Sequence, residues 1–230
     1  MNWQNYHPEN PLNPQDEFGF QHNEILDFLV ANYSQFLSPP ASRIEIINSF
    51  SELIVNKSFE YYPSDDNSKN RGQAYAYASA CPVKFTSGQT EYWDLNMYTY
   101  DFKQVIESIF LVIETLNAGN VEEIILQLKQ IDHNIEASAL QSEEKTIAFR
   151  FNSVARFSVA YWSAQKENPS TAWINFADNY NHEFGISQPP NWVYSDIKGV
   201  FISTLFAPYP AIPLASGALS SAMTAVTGWW

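Results

Sequence analysis

A chain of 230 residues, 45% hydrophobic and 16% aromatic, carries enough apolar material for a packed core and too much for a disordered chain. Acidic residues outnumber basic ones 25 to 12, and the net charge of −13 argues against nucleic acid and anionic membrane surfaces, both of which need clustered Lys and Arg. The single cysteine, Cys81, excludes an intramolecular disulfide and a multi-thiolate zinc site and points to a reducing compartment.

The first 20 residues carry Pro8, Pro11 and Pro14 and predict an extended arm with turns. The opening MNWQNYHPENPLNPQDEF has acids, prolines and no apolar run, so no signal peptide is expected and the chain is placed in the cytoplasm. Leu26, Leu29, Tyr33 and Leu37 keep a 3.6-residue period, predicting a helix from about Asn23 to Phe36 that Pro39 and Pro40 stop. Ser42 and Glu45 form a capping box before a second helix through Ile46, Ile47, Phe50, Leu53 and Ile54. Residues 59–100 join a polar loop, YYPSDDNSKNRG, to alternating aromatics and turn signals, which predicts short strands or an irregular aromatic insert.

Asp101 with Gln104 is the expected cap of a helix carrying Phe102, Val105, Ile106, Ile109, Phe110, Val112, Ile113 and Leu116, apolar over most of its circumference and so expected to be surrounded by neighbours. Asn117-Ala-Gly-Asn120 is a short turn, and Asn120 with Glu123 caps the next helix. Its stripe is Val121, Ile124, Ile125, Leu128, Ile131 and Ile135, and the short turn makes the pair an antiparallel hairpin. Ser142, with Glu143 and Glu144 in the first turn, caps a third helix through Ile147, Phe151, Val154, Phe157, Tyr161 and Trp162, ended by Asn168-Pro169. Residues 169–192 read as polar and aromatic loop. The expected architecture is mainly α: a single domain of antiparallel helix hairpins with an aromatic insert. It divides into an arm at 1–20, a helical body at 21–195 and a small-residue-rich segment at 196–230.

That last segment ends in LASGALSSAMTAVTGWW, with no charge after Lys198. As a helix these residues reach about 25 Å, short of the roughly 30 Å of a hydrocarbon core. Pro208, Pro210 and Pro213 break any extension backwards, so a spanning helix is disfavoured. Leu219, Met223, Val226 and Trp230 fall on one helical stripe, while Gly217, Ser221 and Gly228 leave another side bare enough for a second backbone. Trp229 and Trp230 suit an interface. Docking on its own domain is the commonest fate of such a helix; contact with another chain is the functional alternative.

Three stretches, NPQDEFGFQHNEILDFL, SVARFSVAYW and SDIKG before the tail, resemble a group of uncharacterised bacterial proteins. That group shares an Asn-Pro-x-Asp-x-x-Gly-x-x-His-Asn pattern, a Ser-Val-Ala-Arg-Tyr-Ser-like helix ending in Trp, and a Gly/Ala-rich C-terminus. Asn13, Pro14, Asp16, Gly19, His22 and Asn23 match the first pattern, and Ser153, Val154, Ala155, Arg156, Ser158 and Trp162 the second. The chain departs from the group after Gly199, where VFISTLFAPYPAIP replaces small residues. The resemblance implies no activity.

Catalytic groups are few. His22 with Asp16 has the makings of a base and its orienting acid. The structural alternative is a tight junction in which Pro14 opens a turn, Gly19 supplies a positive φ and Asn23 caps the following helix. His133 lies off the apolar stripe and should face solvent; Asn181-His182-Glu183 lacks a zincin's second His, since Ile186 stands in its place. With His7 the histidines number four, and a metal site would need two of them to converge from distant segments. Neither a Gly-x-Ser-x-Gly elbow nor a phosphate-binding Gly-x-x-x-x-Gly-Lys occurs, and no metal or cofactor is expected. Cys81 is a nucleophile only if a histidine lies beside it. The leading expectation is a non-enzymatic interaction protein that uses Gly217, Leu219, Ser221, Met223, Val226, Gly228, Trp229 and Trp230 for self-association or a protein partner. The alternatives are a hydrolase or metal-dependent enzyme centred on His22 and Asp16, and membrane insertion through residues 199–230.

Overall fold

The computed structural model describes residues 3–32, 43–63, 72, 76, 98–179, 193, 196 and 210–227. Among the described residues, a 3-10 turn at Trp3–Tyr6 precedes seven extended α-helices: α1 Asp16–Asn32, α2 Arg43–Tyr61, α3 Tyr100–Glu114, α4 Val121–Ala137, α5 Ser142–Glu167, α6 Thr171–Asn179 and α7 Ala211–Thr227. No strand occurs among the described residues, and the mainly α architecture stands. Most of the aromatic insert, with Cys81, lies outside the described residues, as do the Ser42 cap and His182.

Helix α5 is the axis of the molecule. Every residue from Phe151 to Gln165 is buried, so the helix is enclosed on all sides. The 3-10 turn, α1, α3 and α4 pack around it, α2 and α7 pack together against α1, and α6 also touches α1. Helices α3 and α4 form the expected hairpin around Asn117–Asn120, with Ile106, Ile109 and Ile113 facing inward from one and Ile124, Leu128 and Ile135 from the other. Helix α3 is not surrounded by neighbours as expected: it buries one face, and Leu111 on the other is exposed.

Several helix boundaries differ from expectation. Helix α1 starts at Asp16, not near Asn23, because the arm ends in two Asn-Pro turns: the Asn10 side chain accepts from the Leu12 amide at 3.3 Å and the Asn13 side chain from the Gln15 amide at 2.8 Å. Asp16 and Glu17 then occupy the first turn, where the helix dipole favours acids. Asn23 is therefore mid-helix rather than a cap, and Gly19 is helical rather than a left-handed stop. Thr99, not Asp101, caps α3: its Oγ1 accepts from the Phe102 amide at 3.2 Å. Asn120 stands at the cap position of α4 but spends its side chain inside the turn, accepting from the Asn117 amide and donating to the Thr115 carbonyl. Gln141, not Ser142, caps α5 in a reciprocal box with Glu144. Residues 171–179, expected as loop, are α6, which opens with the Ser170 hydroxyl accepting from the Trp173 amide at 3.3 Å.

Helix α7 shows what the tail does. Residues 211–220 and Ala222 are buried, and the helix lies on α1 and α2 of its own chain. Pro213 is accommodated because it falls in the first turn, where no intrahelical donor is needed. Gly217 and Leu219, expected at an interface with another chain, are thus buried within this one. The helix continues through Ser221, Met223 and Val226, whose side chains lie outside the described set, as do Gly228, Trp229 and Trp230. No described helix is long and apolar enough to cross a membrane.

Candidate functional site

The site grows from the crossing of α1 and α5. Their contacts advance in step: Gly19 meets Ser153 and Phe157, Asn23 the Phe157 carbonyl, and Asp27 the Tyr161 hydroxyl. The helices therefore run in the same direction, with rows spaced by four residues on each engaging the other. Gly19 marks the closest approach. A Cβ there would lie 2.6 Å from the Ser153 carbonyl oxygen, from its hydroxyl and from the Phe157 ring. Ser153 uses the proximity, since its hydroxyl accepts from the Gly19 amide at 2.9 Å and donates to the Asp16 carbonyl at 2.8 Å.

One buried polar cluster fills the end of this seam where the arm enters. Arg156, fully buried on α5, donates to the Pro8 carbonyl and to Asp16, and its guanidinium lies 3.1 Å from Asp132 of α4. Asp132 is fully buried as well. It accepts from Asn10 at 2.8 Å, Asn13 at 2.9 Å and Asn152 at 2.8 Å. Burial pushes its carboxyl above the usual range, while the Arg156 charge and the Asn152 and Asn10 bonds pull the other way. Asp16 also accepts from the Asn10 amide at 3.0 Å, and Lys129 of α4 donates to the His7 carbonyl at 2.7 Å. The arm is thereby tied to α1, α4 and α5 through one guanidinium, one ammonium and two carboxylates.

The second cluster lies two turns further along α1. His22 is fully buried, and its Nε2 is 2.9 Å from Asp196, also fully buried. Asp196 takes a second bond, 2.9 Å, from the indole N–H of Trp162 on α5. The other ring nitrogen of His22 faces the Asn23 side-chain oxygen at 3.2 Å, and the Asn23 amide nitrogen donates to the Phe157 carbonyl at 2.9 Å. Burial disfavours a charged imidazole, but the Asp196 charge, the bonds to Asp196 and Asn23, and the backbone of Gly217 outweigh it, so the His22 pKa is raised.

The structure thus separates the pair that spacing suggested: His22 is joined to Asp196, and Asp16 to Arg156. It brings together all three stretches that carry the resemblance: Asn13, Asp16, His22 and Asn23 come from the first, Arg156 and Trp162 from the second and Asp196 from the third, while Asn10, Asp132 and Asn152 come from outside them. Asn10, Asp132, Asn152 and Asp196 were not anticipated as members. Asp132 had a legible signal, being four residues after Leu128 on an otherwise apolar face, where a charge must be paired. His133 is exposed as expected, and His7 is exposed with a φ of 50°. Among the described residues, no group of three or more His, Cys, Asp and Glu is arranged to hold a metal. An open cleft of about 410 Å³ lined by Tyr6, Asn120, Glu122, Glu123 and Glu167 shares no residue with either cluster. In it, burial and the bond to Glu167 push the Tyr6 hydroxyl up to about 12. No protein-family model, curated protein or solved structure matches the chain.

Proposed function

We propose that the chain is a non-enzymatic interaction protein whose buried polar clusters set the shape of its body and whose α7 carries a self-association surface beyond its docked portion. The observation that carries this reading is an uncharged helix anchored on the body. Residues 211–220 and Ala222 are buried, the helix continues to Thr227, and in the sequence Met223 and Val226 follow Leu219 along one stripe. A helix anchored by its own core can present a further apolar turn at little entropic cost, which favours association. The polar clusters support it too. Every nitrogen of His22 and every carboxylate of Asp16, Asp132 and Asp196 is committed to a partner within the fold, as in a clamp and unlike a base awaiting substrate.

The test is the mass of the intact chain in solution, by light scattering across a concentration series, beside a Met223→Asp, Val226→Asp double variant. The expected result is a wild-type oligomer and a folded, monomeric variant with unchanged melting temperature. A wild-type chain that stays monomeric at several hundred micromolar overturns the reading. A hydrolase or metal-dependent enzyme at His22 and Asp16 finds less support, because those two side chains serve different clusters.

A further inference from the structure

The turn end of the α3–α4 hairpin, where Asn117–Asn120 reverses the chain, gathers three features. The first is the open cleft of about 410 Å³, within the volume range of small ligand sites. Glu122 and Glu123 of α4 and Glu167 at the end of α5 line it around the half-buried Tyr6. The second is Leu126, which is 65% exposed. It follows Glu122 by four residues and Glu123 by three, so the three side chains neighbour one another on the outer face of α4 and the leucine stands at the rim of the cleft. The third is Leu111 of α3, 63% exposed. It precedes Ala118 by seven residues as Leu126 follows Gly119 by seven, so the antiparallel hairpin sets both at one height. Among the described residues these are the two most exposed leucines. Single surface leucines are ordinary; two at one height beside an acid-lined cleft have the make-up of an interface, apolar within and polar around.

We propose that this end of the hairpin docks a different protein through a basic amphipathic helix, whose leucines meet Leu111 and Leu126 while a lysine or arginine enters the cleft between Glu122, Glu123 and Glu167. Charge selects the occupant. Among the described residues no Lys or Arg pairs with those three carboxylates, and the one lysine of α4, Lys129, donates instead to the His7 carbonyl. Glu123 accepts from Gln127 at 3.1 Å, a bond that brings no positive charge. A second copy is the wrong partner: with 25 acids against 12 bases, it brings like charge to an acidic end. A small cation would use the carboxylates and leave both leucines uncovered. An amphipathic helix supplies both chemistries, because its basic and apolar side chains recur at the three- and four-residue spacing that Glu122, Glu123 and Leu126 show on α4. The surface is separate from α7, so docking here and self-association there are independent.

Fluorescence anisotropy is the direct measurement. The probe is a labelled amphipathic helix of about 18 residues built from leucine and lysine, titrated with the full-length chain at about 0.15 M salt, beside an analogue carrying glutamate for lysine. The lysine peptide should bind and the glutamate analogue should not. Glu122→Gln with Glu123→Gln, and separately Leu126→Ser, should each weaken binding at least roughly fivefold. Glu52→Gln with Glu136→Gln removes the same charge from exposed sites elsewhere and should change binding less than about twofold. No binding at about 100 µM chain, full affinity in Leu126→Ser, or equal losses in the two charge-matched pairs overturns the proposal, the last because it reduces the contact to net charge. Amide NMR of the wild-type chain adds a reading that needs no variant. Shifts should gather at Tyr6, Leu111 and the first two turns of α4, and shifts spread over α2 and α7 overturn it as well.

Discussion

At Gly19 an added methyl group would meet the Ser153 backbone and the Phe157 ring at 2.6 Å, and the backbone atom cannot swing away as a side chain end would. Helix propensity alone favours alanine over glycine by about 1 kcal/mol, so the two effects oppose each other. Overpacking of a tight core contact costs about 1–3 kcal/mol and here has a rigid partner, so it should prevail. Gly19→Ala is expected to lower the urea midpoint; a rise would mean that α1 and α5 separate easily. Arg156 is a different case. Removing it strands the fully buried Asp132 and takes a partner from the partly buried Asp16, and breaking a buried pair costs about 3–5 kcal/mol. Arg156→Lys should recover little, because a single ammonium cannot reproduce a planar fork that spans Pro8, Asp16 and Asp132. Chemical denaturation of Arg156→Lys and Arg156→Met side by side checks this, and near-wild-type stability of the lysine variant would show that the fork geometry is dispensable.

At the scale of elements, helix ends are where pattern reading and structure part. The apolar periods of α3, α4 and α5 located those helices and the α3–α4 turn correctly, because a stripe buried on one face repeats over many residues. Caps rest on single side chains, and neighbouring candidates compete for them. Thr99 prevails over Asp101, and Gln141 over Ser142, because Glu144 binds both caps: one oxygen accepts from the Thr99 amide at 2.7 Å and the other from the Gln141 amide at 3.3 Å. Glu144 thereby joins the start of α5 to the start of α3, a tertiary bond with no trace in local spacing. Glu144→Ala should cost about 1–3 kcal/mol, since it strands two amides, while Ser142→Ala should stay within about 0.5 kcal/mol. Equal costs in thermal denaturation would return the capping role to Ser142. Helix α6 was not anticipated because TAWINFADN is short and follows Asn168-Pro169; Trp173, fully buried with its indole N–H on the Tyr161 hydroxyl at 2.8 Å, anchors it.

For the molecule as a whole, α7 decides how the tail is to be understood. Were it only a surface for partners, trimming one side chain in its docked part would leave stability untouched. Leu219 is fully buried, and Leu219→Ala should destabilise the isolated chain by about 2–5 kcal/mol, as cavity-forming core substitutions do. A null effect in dilute solution would place α7 outside the cooperative core. The acidic composition acts at this scale too: it keeps copies apart by repulsion, so any association through α7 should strengthen with salt.

The amino-acid sequence by itself determined the helical class, the hairpin of α3 and α4 and the improbability of a membrane span, because all of these follow from composition and from periods that repeat within one element; it did not determine that α5, rather than α3, is the enclosed helix. It also singled out Asn13, Asp16, Gly19, His22 and Asn23, though in roles other than those the structure gives them. Only the tertiary structure decided their partners. Asp132 and Asn10 are 122 residues apart, and His22 and Asp196 are 174 apart. A buried charge takes whichever counter-charge the packing of distant helices brings within about 3 Å, and nothing in local spacing encodes that distance.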